Sequence, residues 1–148
     1  MFSPDESPGR RRNWAAAYVV LGVMGLSVLL PVFQPQSLSV GLELMIVWGS
    51  TMLLGYGFAT YATIFGGTKN LWIENSGSWL GNAGLSIYVV TLIQSVIVEG
   101  SLGKAPQTLG YIALLVIMVS RSYRLQRQLR TTRRLKEIVR IANRNGTS

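Results

Sequence analysis

The feature that most constrains this chain is the near absence of charge between Asn13 and Ser120. Only five charged residues fall in that stretch: Glu43, Lys69, Glu74, Glu99 and Lys104. A water-soluble domain needs charged side chains over its whole surface, because Lys, Arg, Asp and Glu mostly stay in water. The stretch therefore cannot cover a soluble core, and it fits a chain whose outer surface faces lipid.

Four segments of this stretch are apolar enough to be membrane spans, at about 13–33, 40–65, 79–98 and 105–120. The first carries no charge and covers roughly 30 Å as a helix, which is the thickness of the hydrocarbon layer. The fourth is the shortest, with 16 uncharged residues between Lys104 and Arg121, and the alternative is that it lies at the membrane interface without crossing. Both of these side chains can reach the membrane interfaces from the ends of that span.

Basic residues set the expected orientation. Arg10–Arg12 precede the first span, and most other cations follow the fourth. An even number of spans puts both groups on the same side, as the positive-inside rule requires. The sequence therefore predicts an all-α, polytopic transmembrane bundle of four helices in a bacterial-type plasma membrane with both termini cytoplasmic. Residues 1–12 are expected to be a disordered tail and residues 121–148 a basic helical tail.

The composition also limits the chemistry. The chain has no Cys and no His, which excludes disulfides, thiolate metal sites and histidine bases. No catalytic set is apparent, so we expect neither an enzyme nor a cofactor. The net charge of +8 lies mainly beside membrane ends. That position favours contact with anionic lipid headgroups over nucleic-acid binding.

The basic tail is a candidate lipid-binding or partner-binding segment. Its arginines recur in steps of three, which winds charge around a helix. Leu125, Thr132 and Val139 lie seven apart, with Leu135 and Ala142 on the neighbouring seam position, as in a short coiled coil. The alternative is a basic helix lying against anionic headgroups. The candidate binding residues are Arg121, Arg124, Arg127, Arg130, Arg133, Arg134, Lys136 and Arg140.

The third span is the most polar and begins with closely spaced glycines. Small residues let helices approach closely, which predicts a packing face within the bundle or between copies in a homo-oligomer. The alternative is a wet lumen lined by polar side chains of several copies. The packing or lumen candidates are Gly77, Gly81, Asn82, Gly84, Thr91, Gln94 and Ser95.

Two acids lie near the outer ends of spans. Glu43 starts the second span and Glu99 closes the third, so both are expected on the outer side. An interfacial ion pair, such as Glu99 with Lys104, is one interpretation. A role in ion or proton passage is the other, because ionisable residues within spans are often functional.

In general pattern the chain resembles the holin-like membrane proteins of bacteriophage lysis. The shared features are small size, several uncharged helices, a mildly polar helix able to self-associate, and a charged cytoplasmic C-terminal tail. The resemblance implies accumulation in the cytoplasmic membrane followed by assembly that depolarises or perforates it. A second hypothesis is a membrane-anchored interaction protein, of the phage-defence, exclusion or toxin-partner type, that recruits a cytoplasmic partner through its tail. A third is a small channel or transporter subunit, although the first span has no carboxylate for proton coupling.

Overall fold

The computed structural model describes residues 8–30, 41–65, 70–98, 100 and 102–145. Four helices account for nearly all of them: α1 (Pro8–Leu29), α2 (Leu42–Phe65), α3 (Leu71–Val98) and α4 (Ala105–Asn145). A 3₁₀ turn, Leu102–Lys104, leads into α4. The described residues contain no strand, and each of the four helices is long and apolar enough to cross a membrane. The all-α class and the four candidate spans predicted from the sequence are therefore confirmed, and the chain is a membrane protein.

Two helices begin earlier than the sequence suggested. α1 starts at Pro8 and takes Arg10–Arg12 into its first turns, and proline at a first helical position is favourable because it has no N–H to satisfy. α3 starts at Leu71 instead of Trp79. The turn-like residues 75–78 are therefore helical, and Gly77 and Ser78 are buried there. Local turn preference gives way where small residues allow close packing against a neighbouring helix.

α2 and α3 are the inner helices of the bundle: α2 packs against α1 and α3, and α3 packs against α2 and α4. Glycines make both α2 contacts possible. A Cβ built on Gly25 of α1 would lie 2.9 Å from the carbonyl oxygen of Gly49. A Cβ built on Gly55 would overlap the backbone of Gly81 in α3. The helices therefore touch backbone to backbone at these crossings.

The core of the bundle is rich in aromatic side chains. Tyr18, Trp48 and Tyr56 are fully buried, together with Met52 and Leu85. The rings of Tyr18 and Tyr56 stack at 6.0 Å between centroids. The outward faces carry exposed valines, leucines and isoleucines instead. Such an apolar exterior around an ordered interior is what a bundle in lipid requires.

Candidate functional site

An ion pair is buried between α3 and α4. Arg121 Nη2 donates a hydrogen bond of 2.8 Å to Glu74 Oε1, and each side chain is only 2% exposed. Isolated charges are rarely buried, because leaving water costs several kcal/mol per ion. The pair therefore holds α4 at one position and rotation relative to α3.

Two side chains of α1 also contact this pair. The Tyr18 hydroxyl donates to Glu74 Oε1 at 3.4 Å. The Arg121 guanidinium lies 5.0 Å from the ring centroid of Trp14, within cation–π distance. Because Trp14 follows Arg10–Arg12 closely in α1, the two basic segments of the chain flank the same end of the bundle. We refer to this end as the basic end.

A second set of hydrogen bonds lies next to the ion pair, further along α3. Asn82 Nδ2 donates to Ser122 Oγ at 3.0 Å, and the Ser78 and Ser122 hydroxyls lie 2.6 Å apart. Ser122 donates to the carbonyl oxygen of Met118 at 3.1 Å, so its bonds to Ser78 and Asn82 are the ones it accepts. On the other side, Tyr56 donates to Asn82 Oδ1 at 2.9 Å. Helices α3 and α4 thus contribute to both sets, whereas α1 contributes only to the ion pair and α2 only to the second set.

The helical repeat explains why these groups meet. Glu74, Ser78 and Asn82 are four residues apart on α3 and so stack along one face. Arg121 and Ser122 are neighbours on α4 and face that row. We call the set of Glu74, Ser78, Asn82, Arg121 and Ser122 the polar cluster. Sequence reasoning missed Glu74 by placing it in a loop, and counting back in fours from Asn82 would have found it.

Arg121 does not belong with the exposed residues of the basic tail, where the sequence analysis placed it. Its side chain is buried in the polar cluster. The arginines that follow it differ, because they are exposed. We call the rest of α4, Tyr123–Asn145, the tail helix. Its first residues still contact the bundle, since the Tyr123 ring lies 5.3 Å from the Trp79 ring and Leu125 is fully buried. Its exposed arginines are Arg124, Arg127, Arg130, Arg133, Arg134 and Arg140, while the side chain of Lys136 lies outside the described residues.

The glycines predicted as a packing face pack within the bundle. Gly77, Gly81 and Gly84 are buried, and a Cβ on any of them would crowd α2 atoms. A Cβ on Gly84, for example, would lie 2.8 Å from the carbonyl oxygen of Trp48. The face predicted on the third span is therefore the α2–α3 interface.

The candidate lumen residues do not share one environment. Asn82, Thr91 and Ser95 are buried, whereas Gln94 is exposed on the outside of α3. Thr91 donates to the carbonyl oxygen of Ile87 in its own helix, at 2.9 Å. Ser95 accepts a 2.7 Å hydrogen bond from Lys104 Nζ. Within a single chain, therefore, these four residues do not line a common space.

Of the two predicted outer-side acids, Glu43 is exposed in the first turn of α2 and is not part of the polar cluster. Glu99 lies outside the described residues. Among the acids that the structure describes, the buried one is Glu74, near the start of α3. This acid was not singled out from the sequence.

An open apolar groove runs between α2 and α3 on the outer surface. It has a volume of about 740 Å³ and is flanked by Phe58, Tyr61 and Trp72. Gly57 lies in its wall, and a Cβ there would meet nothing within 4 Å. In a membrane this surface faces acyl chains.

Comparison of the chain with protein-family models, curated proteins and solved structures found no match.

Proposed function

We propose that this chain is a membrane-anchored interaction protein, in which the bundle presents the tail helix to an acidic partner in the cytoplasm. The observation that carries the proposal is the contrast between Arg121 and the arginines after it. Arg121 is buried and paired, whereas Arg127, Arg130 and Arg133 are exposed on the same continuous helix. The first anchors α4, and the others are free to contact another molecule.

The side of the membrane follows from the basic end. Arg10–Arg12 and the start of the tail helix lie at this end, as the 5.0 Å approach of Arg121 to Trp14 indicates. Lys and Arg accumulate on the cytoplasmic side of membrane proteins. We therefore assign the basic end to the cytoplasmic face of a plasma membrane, with the tail helix in the cytoplasm.

The direction of the tail helix favours a protein partner over the headgroups of the same bilayer. At 1.5 Å rise per residue, Arg133 lies about 18 Å beyond Arg121 along the axis of α4. Because α4 continues from its membrane span into the tail helix without a break, it carries the later arginines away from the membrane surface. Guanidinium groups bind carboxylates with two parallel hydrogen bonds, so an acidic protein surface is a suitable partner.

The test is photo-crosslinking from the tail helix of the full chain in bacterial membranes. A photoreactive amino acid replaces exposed Glu137, which lies among the arginines. We expect a crosslinked protein of defined mass that is lost when Arg127, Arg130, Arg133 and Arg134 are all changed to Gln. The matched control changes the same four residues to Lys, which keeps the charge but not the paired hydrogen bonds, so it should give more product than the Gln variant and less than the wild type. Crosslinks to phospholipid, or a protein product that survives the Gln changes, would refute the proposal.

A second candidate is the holin-like activity, and it is favoured by the position of the polar cluster. Its members lie on the facing sides of α3 and α4, and α4 packs mainly on α3. If α4 separated from α3 while several copies assembled, Ser78, Asn82 and Ser122 would no longer be covered. They would then face a space that the copies share. Polar side chains can then line an aqueous path.

This candidate is tested by inducing expression while recording culture density and a membrane-potential dye. An abrupt loss of potential after a delay, with lysis when an endolysin is supplied, supports the holin-like activity. The changes Ser78→Ala and Asn82→Leu should then alter the delay, whereas the exposed control Ala83→Ser should not. Continued growth at high expression with intact potential would remove this candidate.

A further inference from the structure

The tail helix carries apolar side chains into water. Leu125, at the bundle, is fully buried, but Leu135, Ile138 and Val139 are 52%, 62% and 58% exposed. No Gly or Pro interrupts α4 between Tyr111 and Asn145, so nothing in the sequence bends the helix back to the membrane. From Leu125 to Asn145 it extends about 30 Å.

Two of these exposed residues, Leu135 and Val139, belong to a seven-residue repeat, whereas Ile138 and the 52% exposed Ile141 lie outside it. When Leu125, Thr132 and Val139 take the a positions, Gln128, Leu135 and Ala142 take the d positions. We call the face that carries these a and d positions the seam. β-Branched residues at a with leucine at d favour two parallel strands in a coiled coil. Thr132 and Val139 are both β-branched, and Leu135 lies between them at d.

The charges are arranged around this seam in a way that permits pairing of two copies. The arginines from Arg127 onward all fall at the outer b, c and f positions: Arg127, Arg130, Arg133, Arg134, Arg140 and Arg144. On a helical projection they cover an arc of about 140° opposite the seam. Of the flanking e and g positions, only Arg124, at the bundle, and Lys136 are cationic. From Arg127 onward, therefore, the arginines lie on one side of the helix and the seam lies on the other.

The occupant that fits this seam is a second copy of the chain. Copies in one membrane share one orientation, so their tail helices are parallel and in register. In a parallel pair the outer positions point away from the partner, which leaves the arginines accessible. The lipid surface is a poorer match, because Leu135 is about 21 Å beyond Arg121 along an unbroken helix.

We propose that residues 128–142, beyond the buried Leu125, form a parallel two-stranded coiled coil with the same segment of a second copy. The pair would display two sets of arginines on its outer faces. The inference does not depend on what the arginines bind. Its test is therefore separate from the photo-crosslinking experiment.

The test uses single cysteines, since the chain has none of its own. Thr132, Leu135 or Val139 is replaced by Cys at the seam, and Arg133 or Glu137 is replaced at outer positions as the control. The full chain is oxidised in bacterial membranes, and dimers are measured on a non-reducing gel. Seam positions should crosslink at least about fivefold more than outer ones, because a disulfide needs Cα atoms within about 7 Å.

Three outcomes would overturn the proposal. The first is equal crosslinking at seam and outer positions, and the second is no crosslinking at any of them. The third is that anionic vesicles protect the seam thiols from a water-soluble thiol reagent although no dimer forms. The last outcome would identify lipid as the occupant. As a second measurement, Leu135→Asp should lower the dimer fraction in mild detergent, while Glu137→Asp should not. The four Arg→Gln changes should leave seam crosslinking unchanged, so a loss of partner binding cannot be mistaken for a loss of the coiled coil.

Discussion

Removing one charge of the Glu74–Arg121 pair should destabilise the bundle far more than removing both. The two side chains are 2% exposed and joined at 2.8 Å, so water does not screen the partner that remains. At about 4 Å between charges and an effective dielectric constant of about 20, the attraction is about 4 kcal/mol. The cost of burying two ions offsets most of this, which makes the net contribution of the intact pair small.

A lone buried charge keeps the desolvation cost and loses the attraction. We therefore expect Glu74→Gln and Arg121→Met each to lower the free energy of unfolding by about 3 kcal/mol or more. Arg121→Met also loses the Trp14 contact at 5.0 Å, a cation–π interaction of up to about 2 kcal/mol when it is shielded from water. It should be the more damaging of the two. The double variant should return to within about 1–2 kcal/mol of the wild type.

The assay is equilibrium unfolding of the purified chain in mixed micelles with increasing SDS, followed by far-UV circular dichroism. Trp14 fluorescence, with the other three tryptophans changed to Phe, reports on the ion pair itself. Strictly additive losses in the double variant would refute the reasoning, because they would mean that the two side chains do not interact. The reasoning would also be refuted if each single variant had a free energy of unfolding within about 0.5 kcal/mol of the wild type, because removing one partner of a buried pair destabilises a protein by more than that.

Further predictions concern the helix crossings, the polar cluster and the tail helix. Gly55→Ala should lower the free energy of unfolding in SDS by about 1–3 kcal/mol, because the added Cβ overlaps Gly81. The control Gly57→Ala, whose Cβ meets nothing within 4 Å, should leave it unchanged. Equal effects of the two changes would contradict the close crossing. Asn82→Ala should cost about 1–2 kcal/mol in the same assay, since it leaves the buried Tyr56 hydroxyl without its acceptor, and an unchanged unfolding midpoint would show that the hydroxyl finds another. In detergent, trypsin should cleave the tail helix long before it cleaves the bundle, because the arginines of the tail helix are exposed. Mass spectrometry identifies the first cleavage site. Initial cleavage at Arg121 would contradict the burial of that side chain.

The number and approximate positions of the helices could be predicted because the hydrophobic signal of a membrane span is long and nearly free of charge. α2 shows this best: it was expected at 40–65, and it runs from Leu42 to Phe65. The start of α3 could not be predicted in the same way. Residues 66–78 contain Gly, Asn and Ser, which favour turns in water, and only the glycine crossing with α2 explains why the last of them are helical.

The candidate site was predicted in part. Exposed arginines on a helix that continues the fourth span follow directly from the sequence, because the segment lacks Gly and Pro and is rich in helix formers. The ion pair could not be read in this way, since the rule that charges mark span ends places both Glu74 and Arg121 outside the membrane. Their pairing depends on which faces of α3 and α4 meet, and that is a tertiary property.

The position of the ion pair links the anchoring of α4 to the display of the tail helix. Arg121 and Ser122 are hydrogen-bonded to α3, and Leu125 is the last fully buried side chain of α4 among those that the structure describes. A helix turns by about 100° per residue, so fixing Arg121 fixes the direction of every later residue, including the seam at Leu135. The same contact that stabilises the bundle therefore sets the rotation of the tail helix. In two copies paired through the seam, both ion pairs would set the rotation of one coiled coil. If one ion pair were lost, the other would still hold the coiled coil at that rotation.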